Sequence, residues 1–196
     1  MEPTAIKILS LEFLLQHFAA HAQTVTIVGT MSLGNANLVN NASNVNMKGG
    51  TFRTTGSGAG NSETVGTLTL SANSTIALGT GVHSLNFAAS NGASWTAGRG
   101  LNITGWTGGY NCTSGTAGKI FTGSSAELSA SKLEQIYFTH PTTGFTYTAC
   151  QLSDGEIVPT ATLPVELLEF KATPNSAIKK VDLLWVTASE ICSTIV

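Results

Sequence analysis

Short runs of alternating residues dominate this chain after Gln23. Apolar side chains recur there at every second position in runs of four or five residues, which is the spacing of a β-strand with one buried face. Gly, Asn or Ser, which suit turns, bound the runs, and no helical periodicity interrupts them before Gly118. The runs are TVTIV (24–28), TFRT (51–54), TLTL (67–70), TIAL (75–78), HSLNF (83–87) and LNIT (101–104). This pattern predicts an all-β protein.

A longer interval separates these runs. Phe52, Leu68, Leu85 and Leu101 each begin or centre a strand, and they stand 16, 17 and 16 residues apart. A near-constant interval indicates stacked coils, whose corners suit Asn and Gly because these residues tolerate positive φ. We therefore expect a right-handed parallel β-solenoid in which the four residues form one inward column. A β-sandwich, whose strands recur every 8–12 residues or so, is the alternative.

Few charges accompany the strands. Charged residues make up 10% of the 196 residues and the net charge is -2, whereas hydrophobic residues make up 42%. So weak a charge does not attract a polyanion, so we expect no nucleic-acid partner. The regular apolar residues also distinguish the chain from a disordered one.

The N-terminus has the order of a secretory signal peptide. Lys7 precedes an apolar run, which is followed by Ala20-His21-Ala22, so cleavage after Ala22 is expected. The run is too short to cross a bilayer, which takes roughly 20 residues, so no membrane span is expected after cleavage. An ordinary amphipathic helix is the alternative.

Changes of composition divide the rest of the chain. The region after Gly118 mixes strand and helix signals and is expected to cover the last coil. The predicted parts are a signal peptide (1–22), a solenoid (23–118), its end cap (119–159), a linker (160–164) and a truncated start of a C-terminal β domain (165–196).

The sequence offers no catalytic or metal-binding constellation. Glycoside hydrolysis uses two carboxylates, and Glu63 is the only acidic residue of the predicted solenoid. The cysteines form no C-x-x-C motif and have no histidine at ligand spacing. We therefore expect no enzyme, no metal and no cofactor. His83 and His140 are interpreted as surface residues.

Three aromatic residues and two cysteines are the candidate site residues. Trp95, Trp106 and Tyr110 are candidates for ligand contact, because exposed rings stack on sugars; core packing is the alternative. Cys112 and Cys150 lie within one candidate folded region, so they are the candidate disulfide. Unpaired buried thiols are the alternative.

Three stretches resemble known bacterial surface proteins. GTLTLSANSTIALG (66–79) and LNFAASNGASWTAGRGLNITGWTG (85–108) resemble the autotransporter-associated β-strand repeat. The stretch from KIFTG to GEIVP (119–159) resembles the segment that closes such repeats. LPVELLEFKA (163–172) and VDLLWVTASE (181–190) resemble the linker before the C-terminal sorting region of Bacteroidetes type IX secretion cargo. The pattern stops at ICSTIV (191–196).

The resemblance implies a secreted or outer-surface β-solenoid without catalytic residues. Its role would be structural or adhesive, and its partners would be extracellular polysaccharide or a host or biofilm surface. A carbohydrate-binding module is the second function class, and a polysaccharide-active β-helix enzyme is the third.

Overall fold

The structure is a computed structural model that describes residues 6–8, 23–160, 167–175 and 180–187. Of the residues described, 48% lie in strands and 3% in a helix, which confirms the all-β prediction. The chain divides into two compact units, Met1–Ala161 and Thr162–Val196, and each is described by itself.

The first unit is a succession of short strands joined by turns and loops. Along most of these strands every second residue is buried, as the period of two predicts. The elements are β1 (Ile6–Ile8), β2 (Thr24–Ile27), β3 (Thr30–Ser32), β4 (Asn44–Lys48), β5 (Thr51–Arg53), β6 (Glu63–Ala72), β7 (Ser74–Ala77), β8 (His83–Ala88), β9 (Leu101–Thr104), β10 (Gly118–Thr122), α1 (Ala130–Leu133), β11 (Ile136–Thr139), β12 (Thr146–Gln151) and β13 (Glu156–Pro159).

Two parallel ladders make up the solenoid. Face A is β2-β4-β6-β8-β10, and face B is β3-β5-β7-β9-β11. Antiparallel β12 and β13 join the last strands of the two faces and close the final coil. Parallel pairing along both faces confirms the β-solenoid and excludes the β-sandwich, whose neighbouring strands are antiparallel.

The predicted single column is wrong. Phe52, Leu68, Leu85 and Leu101 are all buried, but Phe52 and Leu101 lie on face B, whereas Leu68 and Leu85 lie on face A. Even on face A, Leu85 aligns with Glu63 and not with Leu68. The interval of 16 or 17 residues fails because each coil holds two strands and the loops between them differ in length.

Strand register reveals the real columns. On face B one column steps by 21, 24, 27 and 35 residues, so the coils grow longer toward the C-terminal end. Its members are Met31, Phe52, Ile76, Ile103 and Phe138. The last four are at most 1% exposed, and together with the inward residues of face A they form the core of the unit.

Glycine permits the close approach of successive coils at one corner. A Cβ added at Gly50 would lie 2.3 Å from the carbonyl oxygen of Gly29 and 2.8 Å from that of Ile27. At the same corner the Thr51 N–H donates to the Gly29 oxygen at 2.8 Å, and the Thr75 N–H donates to the Gly50 oxygen at 3.0 Å. Any side chain at Gly50 would separate the coils and weaken these bonds.

The segment predicted as a signal peptide contributes one described strand. β1 pairs in parallel with β2, and Ile6 aligns with Val25 and Ile8 with Ile27. The rest of residues 1–22, including the predicted cleavage site, lies outside the described residues. Export therefore stays a prediction.

The second unit contains an antiparallel hairpin. Its strands are β14 (Leu167–Asn175) and β15 (Lys180–Thr187), with an irregular register between Leu167 and Glu169. Phe170, Val181 and Leu183 are more than half exposed. The predicted linker and the residues after Thr187 lie mostly or wholly outside the described part of the chain.

Candidate binding site

The three candidate aromatic residues do not form one platform. Trp106 is 2% exposed, and its ring lies edge-on to Tyr110 at 5.2 Å between centroids and to Phe138 at 5.8 Å. Trp95 is half-buried in the loop after β8 and forms an isolated parallel bridge with Leu70. Trp106 and Tyr110 thus belong to the packing of the end cap, whereas Trp95 lines a cleft.

An aromatic cluster fills the end cap. Tyr110 packs against Tyr147 at 4.4 Å and against His140 at 4.8 Å between ring centroids. Burial raises the pKa of the Tyr110 phenol, and the neighbouring Tyr147 adds to this. Neither the Trp106 Nε1 nor the Tyr110 hydroxyl has a hydrogen-bond partner within the described ranges. The prediction that His140 is simply a surface residue missed this stacking.

A disulfide ties this cluster to the cap strands. Cys112 and Cys150 are bonded, with their Cα atoms 6.0 Å apart and a sequence separation of 38. The Cys112 N–H also donates to the Pro159 oxygen at 2.8 Å. The loop that carries Tyr110 is thereby attached to β12 and β13.

The Trp95 cleft lies between the loop after β8 and helix α1. Its volume is about 430 Å³, within the range of roughly 300–1,000 Å³ that is usual for small-ligand sites. It is lined by Trp95, Ala97, Gly98, Ser131, Lys132, Glu134 and Gln135. Of the sequence candidates, only Trp95 takes part.

Two side chains at the helix clamp the loop that carries Trp95. The Lys132 Nζ donates to the carbonyl oxygens of Ser90 at 2.9 Å and Ala93 at 2.7 Å, and also to that of Asn91. Burial lowers the pKa of this ammonium, and the Glu127 carboxylate opposes the shift. Sequence reasoning missed Lys132, because its partners lie about 40 residues away in the chain.

Gln135 holds the other end of the same loop. Its amide Nε2 donates to the carbonyl oxygens of Thr96 at 2.7 Å and Arg99 at 2.8 Å. The Trp95 indole N–H donates to the Leu68 oxygen at 2.9 Å. The ring and the loop around it are therefore fixed before any ligand arrives, which reduces the entropy lost on binding.

The two fully buried carboxylates of the described solenoid and cap serve the fold. Glu63 accepts the N–H groups of Leu38, Val39 and Thr64 at 2.7–3.2 Å, so it anchors the long loop between β3 and β4. Glu156 accepts bonds from the Ser114 hydroxyl at 2.6 Å and the Gly115 N–H at 2.8 Å, and it pairs with Lys119 at 3.5 Å.

His83 is buried, so its interpretation as a surface residue is wrong. The side chain is 4% exposed. Its Nδ1 donates to the Gly81 oxygen at 2.9 Å, because a carbonyl oxygen can only accept, and its Nε2 lies 2.9 Å from the Thr54 hydroxyl. A Cβ at Gly60 would meet the imidazole at 2.2 Å. Because glycine has no side chain, Gly60 on a neighbouring coil leaves the space in which the His83 ring is buried.

The Glu63 carboxyl makes the stability depend on pH in a predictable direction. Burial raises its pKa above 4.5, although the three backbone N–H groups work against this. The folded protein therefore binds this proton more tightly than the unfolded chain, so the contribution of Glu63 to stability falls as the pH rises above 4.5.

We expect the free energy of unfolding of the wild type, relative to Glu63→Gln, to increase when the pH is lowered from about 7 to about 5. Urea denaturation at both pH values measures this, because the midpoint and slope give the free energy of unfolding. A difference between the two proteins that stays constant, or shrinks on acidification, would contradict the expectation.

The family of this chain is a prediction that its motifs make. The resemblance to autotransporter-associated repeats and to type IX secretion cargo rests on the residues quoted above, and its implications stay predictions. No protein-family model, no curated protein and no solved structure matches the chain.

Proposed function

We propose that this chain is a secreted, non-enzymatic β-solenoid with a structural or adhesive role at a cell surface. The observation that carries the proposal is the bonding between outward side chains of successive coils. The Thr67 hydroxyl donates to the Asn44 Oδ1 at 2.9 Å, and the Ser71 hydroxyl donates to the Asn46 Oδ1 at 2.7 Å. These uncharged contacts add to the backbone ladders and favour a stiff rod with a neutral polar surface.

The disulfide supports the extracellular part of the proposal. Structural disulfides persist in oxidising compartments and are rare in the cytosol. The bond between Cys112 and Cys150 would therefore stay oxidised in an exported protein. Among the described residues, no helix has the length and apolar character that crossing a membrane requires.

The role of the buried carboxylates supports the non-enzymatic part. Glu63 and Glu156 are at most 1% exposed, and both are bonded to neighbouring backbone or hydroxyl groups. A glycosidase instead presents two carboxylates to its substrate. A carbohydrate-binding module is the second candidate, and the Trp95 cleft favours it.

Export is tested in the organism that produces the protein. We expect the extracellular or cell-surface fraction to contain a form whose N-terminal residue is Gln23, because the predicted cleavage follows Ala22. N-terminal sequencing of the purified protein, with antibody labelling of intact cells, provides the measurement. A chain that retains Met1 and fractionates with the cytoplasm would overturn the proposal.

A further inference from the structure

A fixed aromatic ring forms one wall of the Trp95 cleft. The only polar group of the indole is satisfied, because its N–H donates to the Leu68 oxygen. The ring therefore offers the cleft an apolar surface and no hydrogen bond. Such a surface suits a ligand with an apolar face, and the polar groups on the other wall must then meet its remaining atoms.

Lys132 disfavours a cationic ligand over the ring of Trp95. The best place for a cation is over the face of a tryptophan, within about 6 Å of the ring centroid. The Lys132 ammonium already lies 5.8 Å from the centroid of Trp95. A second cation near this ring would be repelled by the first.

The same lysine does not provide an anion site. An ammonium has three N–H donors, and those of Lys132 are directed at the carbonyl oxygens of Ser90, Asn91 and Ala93. No donor of this group remains for a carboxylate, sulfate or phosphate. Glu134 also lines the cleft, and its carboxylate repels an anion.

Apart from the Ser131 hydroxyl, which can donate or accept, the side-chain groups that remain in the cleft are hydrogen-bond acceptors. Both N–H donors of the Gln135 amide are used by the loop, so its carbonyl oxygen is left to accept. The exposed Glu134 carboxylate accepts as well. Neither oxygen has a donor among the residues that the structure describes. The matching ligand is neutral and carries hydroxyl groups beside an apolar face.

We propose that the Trp95 cleft binds a neutral carbohydrate. One pyranose ring stacks its C–H face on Trp95. Its hydroxyl groups donate to the Glu134 carboxylate and to the side-chain amide oxygen of Gln135. The proposal gives a ligand class to the adhesive function proposed above. The biological role of the cleft rests on that function. The binding itself can be measured on the purified protein, so its failure is separate from a failure of export.

The test is a titration of the purified full chain with hexasaccharides of glucose, galactose and mannose, followed by calorimetry and saturation-transfer NMR. Polygalacturonate and chitosan serve as the acidic and basic probes. We expect at least one neutral hexasaccharide to bind saturably, and the two charged polymers not to compete for its site.

Variants locate the binding. We expect Trp95→Ala to weaken affinity about fivefold or more, since stacking on one aromatic ring contributes roughly 1 kcal/mol or more. Trp95→Phe should keep part of it. Glu134→Ala should weaken binding without altering the fold, because Glu134 is exposed. Phe145→Ala is the matched control, since Phe145 is 58% exposed and does not line the cleft.

Each contrary result overturns the proposal. The cleft is no carbohydrate site if no neutral hexasaccharide binds, if a charged polymer binds there in preference, or if Phe145→Ala weakens binding as much as Trp95→Ala. If Trp95→Ala does not fold, the affinities of Trp95→Phe and Glu134→Ala for the hexasaccharide still test the proposal. Wild-type affinity in both would refute the proposal.

Discussion

Leu85→Asp is expected to unfold the solenoid. Leu85 is fully buried and aligns with Glu63 on one neighbouring strand and Ile120 on the other. The new carboxylate would be buried without a partner and would lie one strand spacing, about 4.8 Å, from the Glu63 backbone position. Desolvation and the like charge together should cost about 4 kcal/mol or more.

This is a large share of the roughly 5–15 kcal/mol that stabilises an ordinary domain. Circular dichroism and urea denaturation would show the loss as a missing β signal or a much lower midpoint. Val82→Asp is the matched control, because Val82 is 88% exposed in the turn before the same strand, and its effect should be within about 0.5 kcal/mol. Equal losses in the two variants would contradict the assigned register and burial.

Removing the disulfide should have the second large effect. Cys150→Ser frees the unfolded chain from a cross-link that closes a loop of 38 residues. The entropy regained by the unfolded state predicts a loss of about 2–4 kcal/mol in the free energy of unfolding. Thermal denaturation of the oxidised wild type and of the variant measures it.

A reducing agent provides the control for the disulfide. Dithiothreitol should lower the stability of the wild type to nearly that of Cys150→Ser and should leave the variant unchanged. An equal response of both proteins, or no response of the wild type, would contradict a stabilising bond between Cys112 and Cys150. The aromatic cluster around Tyr110 should loosen with the bond, because the disulfide attaches its loop to β12.

Local chemistry determined the strands. The run HSLNF (83–87) lies within β8 (His83–Ala88), and LNIT (101–104) coincides with β9 (Leu101–Thr104). In both, the apolar residues are buried and the alternate residues are not. The strand positions were predictable because the period of two is a property of each strand by itself. The Gly and Asn residues between the runs also favour turns over a helix.

The arrangement of those strands was decided only by the tertiary structure. Alternation says that Leu68 and Leu85 point inward, but not that Leu85 faces Glu63, because register depends on the loops that connect the coils. Likewise nothing in the residue type separates Trp106, which the end cap buries, from Trp95, which lines a cleft. Burial of a single ring depends on contacts with residues far away in the chain, and the partners of His83, Glu63 and Lys132 are supplied by other coils or by the loop after β8.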